Sequence, residues 1–356
     1  MTRIALFAVT AVLVLASAPG ATAALAAKSA GDPLSAQQWG LQQVRAPQAW
    51  PMSTGAGKVI GVVDSGVDFD HPDLSAKLLT GATFLDCGSM SCGNGDWESG
   101  PTTRAISKST HGTHVSGIAA ASTSNGIGIA GVAPAARILP VKALDEEGGS
   151  FEDIALGIRY AVDHGADVIN LSLGALPGTQ ALVITGLVSD VQEAIAYARA
   201  HGVVVVAAAG NDFASICGTP AWDDGALCVA STDKREARSA FSNFAVKPGL
   251  DAVSAPGGSL LPICGEDVLS TVPLGTGASI VCGYGADYDE YAGTSMATPH
   301  VAGVAALLAA QTRTDDNIVA ALRSTARNPV TGLRGVYDPV YGDGIVDAQA
   351  ALAAPR

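Results

Sequence analysis

Short runs of apolar residues recur along this chain, separated by stretches whose apolar positions follow a helical period. Within each run the apolar residues are consecutive and do not alternate with polar ones, which is typical of a strand covered on both faces. Such strands are predicted at 58–64, 137–144, 167–173, 203–209, 227–231 and 251–255. Helices are predicted between them at 114–121, 151–164 and 187–201. Alternating strands and helices predict an α/β fold, a three-layer sandwich with a mainly parallel central sheet and helices on both faces.

Three further stretches depart from this alternation. Residues 296–310 are almost wholly apolar or small, which predicts a buried helix with Pro299 in its first turn. The stretches 86–108 and 260–289 are rich in glycine and serine and each contains two cysteines, so both are interpreted as surface loops. Because no long linker or internal repeat is visible, the simplest division is one domain over residues 34–356.

The first 26 residues have the pattern of a secretory signal peptide. Arg3 precedes an apolar run at 4–18, and small-residue cleavage sites end at Ala23 and Ala26. A short stub, 27–33, would separate this segment from the domain. No later stretch is long and apolar enough to span a bilayer, so we expect a secreted protein without a membrane anchor.

Composition narrows the class of partner. Hydrophobic residues make up 48% of the chain and charged residues 15%, enough to bury a large core. The formal net charge of −13 argues against a nucleic acid as partner, because the phosphate backbone requires basic protein surface. We expect a monomer that acts on another kind of molecule.

The six cysteines suggest disulfides, since an even number after a signal peptide is typical of an oxidising compartment. Six cysteines allow fifteen connectivities. Their clustering along the chain favours Cys87–Cys92, Cys217–Cys228 and Cys264–Cys282. No pair has CxxC spacing, so a zinc site is not expected.

Three polar residues could together perform nucleophilic catalysis. Asp64 ends a predicted strand, His111 opens a glycine-rich stretch, and Ser295 follows a Gly-Thr turn before the buried helix. Each alone has an ordinary interpretation: a turn aspartate, a buried histidine, a helix-capping serine. Together they supply a nucleophile, a base that takes its proton, and a carboxylate that orients the base.

Asn211 adds a fourth element of this chemistry. It follows the buried strand 203–209 and a glycine, so it could simply form a turn. Attack on a peptide bond, however, places negative charge on the carbonyl oxygen, and an amide at the end of a strand can stabilise that charge.

These stretches resemble the motifs of the subtilisin-like serine proteases, the subtilase family. The resemblance extends over Val63-Asp64-Ser65-Gly66, over His111 to Gly117 with Ser116 where alanine is usual, and over Gly293 to Gly303. It implies a serine endopeptidase acting on peptides or proteins, with the Asn211 side chain and the Ser295 N–H as oxyanion donors. By the same resemblance His71, His114 and His300 are structural.

The resemblance also implies a substrate-binding edge. There a peptide adds as an extra strand along one side of a pocket whose other wall is made of small residues. The residues concerned are Ser172, Leu173 and Gly174 on the edge and Ala208, Ala209 and Gly210 on the wall. Asp212 could bias the pocket toward basic side chains, although an exposed aspartate is more often only solvated.

A structural calcium ion is a further implication of the resemblance. Asp73 matches the acidic ligand of such a site, and the loop with Asn125, Ile127 and Ile129 matches the loop that supplies amide and carbonyl oxygens. The ordinary interpretation of this loop is a glycine-rich turn. No cofactor is expected for catalysis.

The chain departs from the family in one respect. Secreted subtilases commonly carry a pro-domain that assists folding, whereas the predicted stub at 27–33 leaves no room for one. We therefore expect folding without a pro-domain, or folding assisted in trans.

Two other functions compete with this one. An α/β-hydrolase esterase requires a G-x-S-x-G turn, and Gly293-Thr294-Ser295-Met296-Ala297 lacks the second glycine. A peptide-binding homologue without activity should have lost one of Asp64, His111, Asn211 or Ser295, and all four are present.

Overall fold

A parallel sheet forms the centre of the protein. The computed structural model describes residues 31–101, 108–175, 189–247 and 249–356, so the predicted signal peptide lies outside the described residues. In chain order the strands are β1 (Val59–Asp64), β2 (Ala82–Thr83), β3 (Arg137–Lys142), β4 (Val168–Leu171), β5 (Val204–Ala208), β6 (Ala226–Thr232) and β7 (Ala252–Pro256). They pair in the order β2-β3-β1-β4-β5-β6-β7 with every pair parallel, which confirms the predicted fold class.

Helices cover both faces of this sheet. Those described are α1 (Trp39–Gln43), α2 (Ala46–Ala49), α3 (His111–Ala120), α4 (Phe151–Asp163), α5 (Asp190–Ala200), α6 (Thr294–Ala309), α7 (Asp315–Thr325) and α8 (Ala348–Ala353). Short 3₁₀ turns occur at Ser35–Gln37, Ser75–Lys77 and Ser279–Cys282. None of the described helices is long and apolar enough to cross a membrane.

The consecutive apolar residues of β5 show why these strands do not alternate. Val204 and Val206 pack into the core on the face that carries α3 and α6, whereas Val205 and Ala207 pack into the core beneath α4 and α5. Because successive side chains point to opposite faces, a strand with a core on each side must be apolar at every position.

The interpretation of residues 260–289 as a surface loop was wrong. This stretch contains a two-stranded antiparallel sheet of β8 (Val268–Thr271) and β9 (Tyr288–Tyr291). The Ser270 Oγ donates to the His114 carbonyl at 2.7 Å and the Thr271 Oγ1 donates to the Thr113 carbonyl at 2.9 Å. The buried hydroxyls of β8 therefore hold the first turns of α3, which begins at His111.

The six cysteines pair in the structure as Cys87–Cys92, Cys217–Cys228 and Cys264–Cys282. The second bridge is fully buried and joins the segment that follows Asn211 to β6. The third joins the residues before β8 to the residues before β9, so it ties together the two ends of the glycine-rich insertion. Each bridge closes a short loop and so removes only a modest amount of chain entropy from the unfolded state.

Candidate active site

The carboxyl ends of the central strands bring Asp64 and His111 together. Asp64 is the last residue of β1 and is fully buried, and His111 is the first residue of α3. The His111 Nδ1 lies 2.8 Å from the Asp64 Oδ1, which also accepts a hydrogen bond from the Ser65 N–H at 2.7 Å. A negatively charged carboxylate at Nδ1 favours the tautomer with its proton on Nδ1, which leaves Nε2 free to act as a base.

Asp64 also sets the charge state of His111. Burial alone would lower the pKa of His111, because it disfavours the charged imidazolium. The negative charge of Asp64 and its hydrogen bond outweigh this effect, so the pKa of His111 is raised above 6.5. The ring remains 29% exposed, which leaves it accessible to a substrate.

The other histidines of the motifs have different surroundings. The His114 ring is buried, lies 3.1 Å from the Asp289 carbonyl through Nε2 and stacks on Tyr291, and burial lowers its pKa to about 3. Burial likewise lowers the pKa of His300, whose Nδ1 lies 2.8 Å from the Met296 carbonyl, to about 4. Both rings are therefore neutral at physiological pH and support the fold.

Ser295 is the second residue of α6, where backbone N–H groups have no partner within the helix. The side chain donates to the Ser172 carbonyl at 3.2 Å, and this hydrogen bond engages the hydroxyl proton that a base would have to take. Catalytic hydrogen bonds are often formed only when a substrate is bound, so this geometry is compatible with a nucleophile. Rotation about χ1 would turn the hydroxyl away from Ser172.

Pro299 lies deeper in α6 than the first turn, so its predicted position was wrong. It has no N–H with which to bond the carbonyl of Ser295, four residues earlier. That carbonyl instead accepts a hydrogen bond of 2.7 Å from the Ser172 Oγ. The Asn170 Nδ2 in turn donates to the Ser172 Oγ at 2.9 Å. Two buried polar residues of the β4 segment thus hold the backbone of Ser295 where the helix itself cannot.

Asn211 follows the carboxyl end of β5 and is oriented by Thr294. The Asn211 Oδ1 accepts hydrogen bonds from the Thr294 N–H at 2.9 Å and from the Thr294 Oγ1 at 3.0 Å. Because the oxygen of the amide is held in this way, its Nδ2 faces away from Thr294 and is free to donate. Thr294 is fully buried, and nothing in the sequence pattern distinguished it from an ordinary turn residue.

A cavity of about 190 Å³ opens beside Ser295. It is lined by Leu173, Gly174, Ala175, Ala208, Gly210, Asn211, Asp212, Thr294 and Ser295. The predicted edge and wall therefore meet around one pocket, with two differences. Ser172 supports the backbone of Ser295 instead of lining the pocket, and Ala209 is fully buried behind the wall.

A larger cavity of about 510 Å³ adjoins the first along the same edge. It shares Leu173, Gly174 and Ala175 with the smaller cavity and extends to Phe151 and Ile154 of α4. Its lining is mainly apolar, with Glu147 and Thr219 as polar members, so it suits a largely apolar side chain. The two cavities follow one another along the edge that continues from β4.

The predicted calcium residues also come together, with one addition. The Asp73 Oδ1 accepts from the Asn125 Nδ2 at 2.8 Å, and its Oδ2 accepts from the Ile129 N–H at 3.0 Å. Ile127 lies between them and donates its N–H to the Asn125 Oδ1 at 3.0 Å. The addition is Asp32, which no sequence pattern indicated and whose carboxylate accepts from the N–H groups of Ser124 at 2.7 Å and Gly126 at 3.1 Å.

This chain is similar to known proteins in both sequence and structure. The sequence model of the subtilase family matches residues 55–344. Thermitase of Thermoactinomyces vulgaris is 43% identical over 324 residues, which cover 90% of this chain and 98% of thermitase. An extracellular protease of Xanthomonas campestris pv. campestris is 38% identical over 331 residues, covering 86% of this chain and 53% of that protein. Among solved structures, a protease of Pseudoalteromonas arctica superposes with a TM-score of 0.74 at 34% identity, covering 91% of this chain and 99% of that one.

Proposed function

Because the chain belongs to the subtilase family and is a serine endopeptidase, we propose that Asp64, His111 and Ser295 are its catalytic triad and that Asn211 completes its oxyanion hole. One observation carries this assignment: the hydrogen bond between the His111 Nδ1 and the buried Asp64 Oδ1 at 2.8 Å. A histidine with a purely structural role would not need a buried carboxylate on one nitrogen while its ring stays partly exposed to solvent.

The geometry supports a two-step hydrolysis. The Ser295 Oγ attacks the scissile carbonyl carbon while the His111 Nε2 takes its proton, and the resulting oxyanion accepts hydrogen bonds from the Asn211 Nδ2 and the Ser295 N–H. The C–N bond then breaks, and His111 returns the proton to the leaving amine. A water molecule, deprotonated by His111, attacks the acyl-enzyme and releases the carboxylic acid, which regenerates the Ser295 hydroxyl.

The substrate is proposed to lie along the edge formed by Leu173 and Gly174. There its backbone can pair as an added strand, because this edge continues from β4 beyond the paired part of the sheet. The two adjoining cavities would hold the side chain before the scissile bond and another one further from it. Thr219 closes the back of this region, where its carbonyl accepts the Ala175 N–H at 2.8 Å.

A serine-directed phosphonate tests the triad. We expect it to label Ser295 at a rate that rises with pH and levels off above the pKa of His111, since only neutral His111 can take the serine proton. Because Asp64 raises this pKa above 6.5, the midpoint should lie above pH 6.5. Mass spectrometry identifies the labelled residue, and labelling rates at several pH values give the midpoint.

Two variants sharpen this test. Asp64→Asn should slow labelling by about 10⁴, the cost of presenting the wrong tautomer in a triad. The exposed histidine at the end of α5 provides the control, and His201→Gln should leave the pH profile unchanged. Labelling that does not depend on pH, or that occurs at another residue, would contradict the triad.

We further propose that the mature enzyme is secreted after removal of residues 1–26, leaving a stub at 27–33 and a catalytic domain over 34–356. The signal-peptide pattern supports this proposal. So do the three disulfides, which form and persist mainly in oxidising compartments. The relative from Xanthomonas campestris is itself described as an extracellular protease.

A structural calcium ion is proposed at the loop around Asp73. Asp32 and Asp73 are both buried, and neither carboxylate forms an ion pair with a described residue. A buried charge is costly unless it is paired or coordinates a metal, so these carboxylates fit a cation. In the described part of the chain no three acidic, histidine or cysteine side chains are arranged to hold a metal ion, so the Asn125 amide and the carbonyls of Ile127 and Ile129 would complete the oxygen ligands.

Removal of calcium is therefore expected to lower the unfolding temperature. An ion that binds only the folded state stabilises it, by about 2.7 kcal/mol at 100 times its Kd. Calorimetry with calcium and with EDTA measures the difference. Asp73→Asn should abolish the response to calcium, whereas Asp163→Asn, on the exposed end of α4, should keep it. Equal unfolding temperatures with calcium and with EDTA in the unmodified protein would rule out the site.

A further inference from the structure

Asn170 is the one polar residue of β4, and it is fully buried. Val168, two residues earlier, packs into the core on the face that carries α3 and α6, so the Asn170 side chain points to that same face. Its Oδ1 accepts a hydrogen bond from no described residue. A buried amide oxygen without a partner costs free energy, and an apolar residue here would avoid that cost. The stability of the strand therefore does not account for an amide at this position.

The nitrogen of this amide sets the direction of a two-step hydrogen-bond relay. The Asn170 Nδ2 donates to the Ser172 Oγ at 2.9 Å, and the Ser172 Oγ donates to the Ser295 carbonyl at 2.7 Å. An amide nitrogen can only donate, and a serine hydroxyl has a single proton. While Asn170 donates to the hydroxyl oxygen, that proton has to go to another acceptor, which is the Ser295 carbonyl.

The relay ends on one of the two peptide groups that flank the Cα of Ser295. The other group, which contains the Ser295 N–H and the Thr294 carbonyl, is held by the Thr298 Oγ1, which donates to that carbonyl at 2.8 Å. The group with the Ser295 carbonyl cannot be held by the helix, because Pro299 has no N–H to offer. Its orientation therefore depends on Ser172.

We infer that Asn170 is a positioning residue for peptide hydrolysis, acting through the Ser172 hydroxyl on the backbone of Ser295. The Cα between the two peptide groups carries the nucleophilic side chain, and its N–H is the proposed second oxyanion donor. A tilt of the unsupported peptide group would displace the nucleophile relative to its base and to the oxyanion donors. Geometry of this kind matters for rate, since a misplacement of about 1 Å can cost about 10² in rate.

This assignment deepens the proposed function and rests on it, because it requires Ser295 to be the nucleophile. Asn170→Leu is the first test, since leucine keeps the side-chain volume and suits the apolar strand but cannot donate. We expect kcat to fall about tenfold while KM changes little, because the change affects the reacting groups and not the substrate edge. The unfolding temperature should not fall, because the unpartnered amide oxygen is removed as well.

Steady-state kinetics on one peptide gives kcat and KM, and kcat is counted per mole of Ser295 that the phosphonate labels. Counting in this way removes any loss due to unfolded protein. The relay includes neither Asp64 nor His111, so the midpoint of the labelling rate against pH should stay where it is. A double variant tests the relay itself: Asn170→Leu combined with Ser172→Ala should cost no more than Ser172→Ala alone, because the amide acts only through that hydroxyl.

Ser254→Ala is the matched control for Ser172→Ala. Ser254 is a buried serine of β7 whose Oγ donates to the Tyr341 carbonyl at 3.0 Å, and it lies outside both cavities, so the variant loses a similar hydrogen bond and should keep kcat. An unchanged kcat in Asn170→Leu, additive losses in the double variant, or an equal loss in Ser254→Ala overturns the inference. Failure of the triad is a separate outcome, because the phosphonate would then not label Ser295 in the unmodified enzyme.

Discussion

Replacement of Ser295 by alanine is expected to abolish peptide hydrolysis and to leave the protein folded. A methyl group cannot form the acyl-enzyme, and the neighbouring hydroxyl of Thr294 is already engaged, because it donates to the Asn211 Oδ1. The expected loss in kcat, about 10⁶-fold, is the value for removal of the corresponding nucleophile in subtilisin, a member of the same family.

The fold should tolerate this change because the side chain contributes little to stability. The Ser295 Oγ makes one hydrogen bond, to the Ser172 carbonyl. The hydrogen bond that supports the backbone at this point, from the Ser172 Oγ to the Ser295 carbonyl, is kept in the variant. The unfolding temperature of the variant should accordingly differ from that of the unmodified protein by only a few degrees.

Hydrolysis of a denatured protein substrate measures the activity of the variant, and circular dichroism measures whether the variant is folded. Ser324→Ala, at an exposed position in α7, is the control and should keep full activity. If Ser295→Ala is folded and turns over its substrate at the normal rate, Ser295 is not the nucleophile and the proposed triad is wrong.

Replacement of Asn211 by leucine is expected to lower kcat strongly while KM changes little. Before attack the substrate carbonyl carries only a partial charge, and an amide donor gains little from it. In the tetrahedral transition state the oxygen becomes an anion, and a fixed donor shielded from water then stabilises it far more. An interaction made mainly in the transition state affects kcat without affecting binding.

The structure explains why this donor is already in place before the reaction. Thr294 binds the Asn211 Oδ1 through both its N–H and its hydroxyl, so the amide does not have to reorient when the charge develops. The expected fall in kcat, about 10² to 10³, is again the value for the corresponding residue in subtilisin.

Steady-state kinetics on one peptide substrate separates the two parameters. Leucine keeps the volume of the side chain and removes the donor, so a change in the shape of the cavity is small. Asn94→Leu, at an exposed asparagine outside both cavities, should leave kcat and KM as they are. A raised KM with normal kcat would show that Asn211 positions the substrate or shapes the turn.

The strands that form the middle of the sheet could be predicted because each lies between two layers. A strand that is covered on both faces is apolar at every position. A run such as residues 203–209 can therefore be recognised in the sequence without knowing which strands lie beside it. The edge strand β2 has two residues, too few to form a pattern. Strands β8 and β9 carry polar residues that form hydrogen bonds to α3 or to the turns beside these strands. Their sequences therefore resembled that of a loop.

The residues of the candidate site also fall into two groups, those that a local sequence pattern reveals and those that only the structure reveals. Asp64, His111, Asn211 and Ser295 could be recognised because each stands in a short stretch whose neighbours also serve the chemistry: a strand end, a glycine turn, a helix start. The residues that orient them carry no such local mark. Ser172 and Thr294 are identified only by the atoms they contact, Ser295 and Asn211, which lie 123 and 83 residues away in the chain.

By itself the sequence determined the type of each central element, the residues able to perform the chemistry and the clustering of cysteines into three local pairs. All of these depend on neighbours close in the chain, and local patterns record them directly. The tertiary structure alone decided that Asp32 joins the loop around Asp73 and that Pro299 leaves the Ser295 carbonyl to Ser172. These contacts join segments distant in the chain, and they arise because the parallel sheet brings the carboxyl ends of its strands to one edge.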